Sequence, residues 1–546
     1  MTPDYEVAIV GAGFGGMGAA IAFQRLGITS LVLLEREDDL GGTWHVNHYP
    51  GLAVDIPSMT YSYSFEPNPY WSRLFAPGEE LKRYAEHVAT KYDLRKHMRF
   101  NTAVEGACWD EAGQCWRITV AGGAQVTARY LVTATGFLSQ PHTPEIPGID
   151  TFAGKVIHTA AWDDAYEMSG RRVAIIGTGA TAVQLIPKLA RAAAELTVYQ
   201  RTPIWVVPKL DSAIPQGMRA LFARLPIAQR AARAISTSVL ELMMVSAVLH
   251  FRQAKVLNAG AARLARGHLR HQVPDPALRR KLTPDYDFGC KRPTFSNSYY
   301  RAFTRPNVHL ETTAIERIGP AEIVTSDGLS TPIDTLVLAT GFNIWDINFP
   351  AFPILGRGGR NLGQWWRNTR FQAYEGVAVP EFPNYLTLAS PYSYSGLSYF
   401  TTIESQMRHI RRLFTELRRR DALLCLLNCQ TGDQDHADRV SRHAPNQHPR
   451  RLRARHRAHR QADVPHHPHP TGHNKGARRV HLLRGHRVPT QPTVKFLDAA
   501  GEAGDLVIGT QPLQPQAAAT RPRGKGSACS SSINSGTAAS GSSRDA

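Results

Sequence analysis

The chain has 546 residues and a formal net charge of +18, long enough for two or three domains with sizeable cores. Its opening, "MTPDYEVAIVGAG", has no basic n-region and no apolar h-region with a cleavage site, so no secretory signal is expected and the chain reads as cytoplasmic. The six cysteines have neither disulfide-framework nor zinc spacing, which suits a reducing compartment and offers no metal site.

The first element is "YEVAIVGAGFGGMGAAIAFQRLGITSLVLLERED": strand, tight turn, helix, strand. Four apolar residues, Val7 to Val10, run into Gly11-x-Gly13-x-x-Gly16. Gly11 permits the sharp turn, Gly13 lets a pyrophosphate approach the backbone, and Gly16 lets helix and strand pack closely. The following strand, Thr29 to Leu34, ends at Glu35, where a ribose hydroxyl needs an acceptor. Next come "GGTWHVNHYPGLAVD" (Gly41 to Asp55), "PSMTYSYSF" with Tyr61, and "RFNTAVEGACWDE" with Val104. A strand "YLVTATGF" closes this first half, and "FAGKVIHTAAWD" (Phe152 to Asp163) follows as a linker. In it Gly154 allows a turn, His158 can hydrogen-bond at a domain seam, and Trp162 packs as an anchor.

"RRVAIIGTGATAVQLIPKLARAAAELTVYQRTP" repeats the pattern, with Gly177-x-Gly179-x-x-Ala182 between strand and helix. Its second strand ends in Gln200-Arg201-Thr202 rather than in an acid. A carboxylate would repel a 2′-phosphate, whereas Arg201 can fork onto one and Thr202 can add a hydroxyl, so this site should prefer NADP. Two dinucleotide sites imply electron transfer between two cofactors. A nicotinamide needs a hydride partner, so the first nucleotide should be FAD.

Residues 206–290 are rich in Ala, Leu, Met and Arg and read as a helical insertion. Its apolar run Ser238 to Phe251 is too short to span a membrane, which leaves at most weak peripheral association. After "CKRPTFSNSYYRAFTRPNVHL" and a second closing strand, "DTLVLATGF", the stretch "SYFTTIESQMRHIRRLFTELRRR" places Phe400, Ile403, Met407, Ile410, Phe414 and Leu417 on one helical face. Beyond residue 420 the pattern stops: of 47 aromatic residues only Phe496 lies in 421–546. Such a segment cannot bury enough apolar surface to offset ordering entropy, and disorder is expected. The basic tail lacks stacking aromatics, so nucleic-acid binding is not expected.

These motifs together resemble the type I Baeyer–Villiger monooxygenases, within the flavin-containing monooxygenase superfamily. Phe152-x-Gly154-x-x-x-His158-x-x-x-Trp162-Asp163 matches the family fingerprint position for position, and the resemblance covers roughly residues 5 to 420. It implies an α/β fold of two Rossmann-like domains. The FAD domain would occupy 1–140 and 336–420. The NADP domain would occupy 141–205 with the linker, and 291–335. It implies that Trp44 lies along the flavin, Asp55 lies near its reactive face, and Tyr61 and Val104 contact FAD. Arg292 is implied as the active-site cation, Lys291 as a partner of Arg201 on the 2′-phosphate, and His158 as coupling domain movement to chemistry. The implied reaction uses a C4a-peroxyflavin to insert one oxygen atom of O2 into a ketone, giving an ester or lactone. A flavin-containing monooxygenase acting on nitrogen or sulfur is the alternative within enzymes. An inactive flavin-binding remnant is the other, because relatives continue with ordered sequence where this chain has its atypical tail.

Overall fold

The computed structural model describes residues 2–244, 255–344, 349–369, 371–390 and 398–420. Beyond these it describes only the backbone of Leu424–Asn428, Thr493–Leu497 and Ala503–Val507, three antiparallel strands. The rest of 421–546, where disorder was expected, lies outside the described residues, as does Val245 to Phe251 of the apolar run.

The run Val7-Ala8-Ile9-Val10 demands apolar cover on both faces, and receives it. Tyr5–Val10 sits inside a sheet, parallel to Leu31–Leu34 on one side and to Gln125–Thr133 on the other. Val7, Ile9, Leu31 and Leu33 face the helices Phe14–Arg25 and Tyr399–Arg419. Ala8, Val10, Val32 and Leu34 face Trp109, Trp116 and Trp366. Strands buried on both sides read as unbroken apolar runs, which is why these were legible. Val104–Asp110 and Cys115–Val120 extend the sheet as an antiparallel meander, and Met98–Arg99 closes its far edge. All six spaced apolar residues of helix Tyr399–Arg419 are buried in this core.

A second sheet is wholly parallel, in the order Val308–Glu311, Glu195–Tyr199, Arg172–Ile176, Thr335–Leu338, Lys155–His158. Helix Ala180–Ala192 covers it with Val183, Leu185, Ile186 and Leu189. Two sequence expectations change here. The "FAGKVIHTAAWD" stretch is not only a linker: Lys155–His158 is the edge strand of this sheet. Gly154 stands in a bend just before this strand, and a close approach adds a second demand for glycine there: a Cβ would stand 2.5 Å from the Asp334 carbonyl oxygen. The strand Thr335–Leu338 belongs to this sheet, so the boundary set between 335 and 336 falls inside it.

The expected insertion comprises Gln216–Arg224, Pro226–Met244, Lys255–Gln272 and Pro276–Leu282. Cys108 and Cys115 are free thiols, but Cys290 is disulfide-bonded, which cysteine spacing did not anticipate.

Both glycine turns use one device. Gly11 (φ +104°) lies against the carbonyl of Ala134, and Gly177 (φ +113°) against that of Ala339, where a Cβ would sit 2.7 Å and 2.4 Å from the oxygen. Ala134 and Ala339 belong to the two "ATG" segments, so each closing strand shapes its own nucleotide turn. Gly16 is tighter still: a Cβ would fall 1.8 Å from the Gly11 carbonyl oxygen. At Gly179 a Cβ meets nothing within 4 Å. Gly16→Ala should therefore purify without flavin and unfold early. Gly179→Ala should stay within roughly 0.5 kcal/mol of the parent in thermal unfolding.

Candidate active site

A cavity of about 790 Å³ runs from the first glycine turn to the start of helix Ala180–Ala192. Of the predicted residues, Gly11, Gly13, Glu35, Trp44, Asp55, Tyr61, Val104 and Arg292 line it. Gly16, His158, Gly177, Gly179, Ala182, Arg201, Thr202 and Lys291 do not.

At one end, the N-terminus of helix Phe14–Arg25 opens into the cavity with Gly13 as its cap. Gly13 and Gly42 approach so closely that a Cβ on Gly42 would be 3.1 Å from the Gly13 Cα. A helix start without side chains is a site for a pyrophosphate. Glu35 is 7% exposed. Its carboxylate accepts the N–H of Ala12 (2.6 Å) and of Glu37 (3.1 Å). Thr102 donates its N–H to the Glu35 carbonyl, which brings the start of strand Val104–Asp110 alongside. Further in, Trp44 packs edge-on to Tyr61 (5.6 Å between centroids), and Tyr61 edge-on to Phe400 (5.0 Å). Burial raises the Tyr61 and Tyr399 hydroxyls well above the usual phenol range, so this wall stays uncharged. These residues fit a dinucleotide whose flat ring lies along the aromatic wall.

Asp55 and Arg292 form an ion pair in the wall of the cavity, Nη2 to Oδ2 at 2.9 Å. Their side chains are 39% and 38% exposed, so the pair adds little to stability and acts through placement. Arg292 is held from behind. Thr294–Phe295 pairs in parallel with Val206–Val207, and Asn297 exchanges hydrogen bonds with the Lys209 backbone (2.9 and 2.7 Å). Asp55 is held from the other domain: Val54 donates to the Ala76 carbonyl, and Leu74 to that of Ser212.

Several contacts join the two domains here that sequence reasoning did not find. Gln184, on helix Ala180–Ala192, accepts from the Tyr49 hydroxyl (3.1 Å) and the Ala53 N–H (3.3 Å), and donates to the Ala53 carbonyl (2.8 Å). Burial pushes the Tyr49 hydroxyl up to about 12, so it remains a donor. His48 meets Asp164 at 2.7 Å, and Arg73 meets Asp211 at 3.1 Å. Lys209, over the Phe75 ring at 4.8 Å, is a second cation near Asp55; burial lowers its pKa. The one available signal was a glutamine among the apolar residues of the helix after the second glycine turn.

His158 caps the short turn Thr159–Ala161, its Nδ1 accepting the Ala160 N–H at 3.1 Å. Its proton is therefore on Nε2, and burial lowers its pKa below the usual histidine range. Trp162 is buried in the same apolar cluster as Tyr49 of the flavin-side motif. Arg201 and Lys291 are exposed. The Thr178 hydroxyl bonds the Thr202 carbonyl at 2.9 Å. The Lys291 ammonium lies 4.9 Å over the Tyr286 ring, and the Tyr286 hydroxyl bonds the Pro203 carbonyl. These links bring the Lys291 segment beside Arg201-Thr202. Among the described residues no group of three His, Cys, Asp or Glu side chains is placed to hold a metal.

Residues 8–215 match the family described as pyridine nucleotide-disulphide oxidoreductase. A Baeyer-Villiger monooxygenase of Streptomyces coelicolor is 40% identical over 413 residues, covering 76% of this chain and 78% of its own length. The open crystal structure of cyclohexanone monooxygenase superposes with a TM-score of 0.71 at 28% identity, covering 81% of this chain and 94% of that one. The crystal structure of the OTEMO complex with FAD and NADP also gives 0.71 at 28% identity, covering 81% and 90%.

Gln184→Leu strands the Tyr49 hydroxyl and both backbone groups of Ala53, and should cost about 1–3 kcal/mol in chemical denaturation. His158 makes stability pH-dependent in a defined direction. Its folded pKa lies below its ordinary 6.5, so its effect is absent above 6.5, and stability falls as pH drops below that value. His158→Gln should flatten that part of the stability profile between pH 7 and 5, and an unchanged profile would contradict the assignment.

Proposed function

The chain belongs to the Baeyer–Villiger monooxygenases, and we propose that it uses FAD and NADPH to insert one atom of O2 into a ketone, giving an ester or lactone. The second oxygen atom leaves as water, with NADPH as the two-electron donor. The observation that carries this reading is the Asp55–Arg292 pair at 2.9 Å, lining the cavity that also receives the first glycine turn and the start of helix Ala180–Ala192. Bound FAD supplies the redox chemistry that activates dioxygen.

The chain's own residues divide the remaining tasks. Gly11 and Gly13 let the pyrophosphate of FAD reach the N-terminus of helix Phe14–Arg25, and Gly16 keeps that helix against its strand. Glu35 accepts the ribose hydroxyl with the lone pairs left free by Ala12 and Glu37. Trp44 and Tyr61 exclude water from the ring, and Val104 meets the adenine end. On the other domain Gly177, Gly179 and Ala182 present the start of helix Ala180–Ala192 to NADP. Arg201, Thr202 and Lys291 hold its 2′-phosphate, the group that separates NADP from NAD.

Arg292 stabilises negative charge as it develops on oxygen during addition to the ketone carbonyl. An arginine suits this because it remains protonated through the whole cycle. Asp55 fixes the direction of the guanidinium and tempers its charge. Holding that cation requires both domains to be in contact, and His158 and Trp162 in the fingerprint keep the edge strand and the flavin-side motif in register.

Incubation with NADPH, air and a cyclic ketone should yield the lactone, and a thioether converted to sulfoxide with no lactone from any ketone would overturn the reading. Arg292→Ala should keep FAD bound and lower ester formation by about 10²–10³-fold. The check is ester quantified by gas chromatography against NADPH consumed, and an unchanged ratio would remove Arg292 from the mechanism.

A further inference from the structure

The helical insertion presents an apolar face that nothing among the described residues covers. On Pro226–Met244, Ile227, Ile235, Val239 and Met243 lie on one face, four or eight residues apart. Ile235 is 67% exposed and the adjacent Leu242 70%. On Lys255–Gln272, Val256 is 84% exposed. These helices are not frayed. The inner face of Pro226–Met244 is pinned to the flavin-side segment: Arg233 donates to the Met59 carbonyl and the Ser62 hydroxyl, Thr60 to Ser236, and Gln229 to the Asn68 carbonyl. Lys255–Gln272 buries Ala262, Ala265 and Leu269 on its own inner side. The outer stripe is therefore rigidly displayed. Apolar area of this extent on a rigid element marks a contact surface.

Charge selects the occupant. Over Gln216–Arg224, Pro226–Met244 and Lys255–Gln272 there are eight Lys and Arg residues and one acid, Glu241. A second copy would bring the same positive charge against it. The segment 421–546 carries 18 Lys and Arg against 9 Asp and Glu, so it too has the wrong sign. The exposed stripe is aliphatic, without the aromatic anchors that dominate protein–protein contacts. Among the described residues no helix is long and apolar enough to cross a bilayer. We propose that this face docks on an anionic lipid surface, the stripe entering the headgroup region and the flanking arginines meeting phosphates. The same helix holds the segment carrying Tyr61, so docking sets the cavity's flavin-side wall beside the lipid.

The test is co-sedimentation of the full-length, flavin-loaded protein with vesicles of phosphatidylcholine alone or with phosphatidylglycerol added. Binding should require phosphatidylglycerol. The triple variant Ile235→Ser, Val239→Ser, Leu242→Ser keeps every charge and should bind about tenfold more weakly or worse. Arg224→Glu with Arg230→Glu should weaken binding to the anionic vesicles at least about tenfold. Flavin absorbance and NADPH consumption, unchanged in both variants, establish that they are folded. Three results would overturn the proposal: no vesicle binding; equal binding by the serine variant, which would assign attachment to the basic tail; or a dimer, abolished by the serine substitutions, in place of lipid binding.

Discussion

Everything in this molecule depends on bringing two nucleotide domains into contact so that one cavity belongs to both. In the mechanism we propose, the Asp55–Arg292 pair is the point of contact that matters for chemistry, because its carboxylate comes from the flavin-side domain and its guanidinium from the ribbon attached to the other. With both side chains over a third exposed, it is too weak to hold the domains by itself. Gln184, bonded to Tyr49 and Ala53, does that with less charge and better burial, aided by His48–Asp164 and by the backbone bonds between residues 72–74 and 212–214. The ion pair lines the cavity, and the bonds of Gln184 and the backbone do most of the fastening.

The two halves solve one steric problem twice. Each glycine turn is pressed against the carbonyl of an alanine from its own closing strand, Ala134 or Ala339, and a helix start then faces the nucleotide. What differs is the end of the second strand: buried Glu35, bonded to two backbone N–H groups, in the first half, and exposed Arg201 in the second. In the function we propose, that difference in charge assigns FAD to the first half and NADP to the second. The fingerprint stretch between them turns out to be structural in a specific sense. It supplies the edge strand Lys155–His158 and buries Trp162 in the same apolar cluster as Tyr49, and we propose that this packing couples domain movement to the motif carrying Asp55.

The strands and helices that bury two faces or one clean stripe were readable directly, because burial leaves a period in the sequence. Val7 to Val10, Val173 to Ile176 and the helix Tyr399–Arg419 are of this kind. The seam was not. Its parts are single polar side chains such as Gln184 and His48, and two-residue strands such as Val206–Val207, none long enough to show a period. At Gly154 the bend was legible but the close approach to the Asp334 carbonyl was not, because both demand glycine and the two are indistinguishable in one dimension. Cys290 shows the same limit, since bridging depends on distance in space and not on spacing. The candidate site was legible mainly through its motifs, and that the first glycine turn, Asp55 and Arg292 share one cavity while Gly177, Arg201 and His158 stand outside its lining was visible only in three dimensions.

The central claim is that Asp55 and Arg292 act as one unit across the domain seam. A double-mutant cycle measures this directly, using Asp55→Ala, Arg292→Ala and the combined variant, with ester formed per NADPH consumed as the readout. The account predicts strong non-additivity: once Arg292 is gone, removing Asp55 costs little more. Losses that simply add would mean that the two residues work independently, and would contradict it.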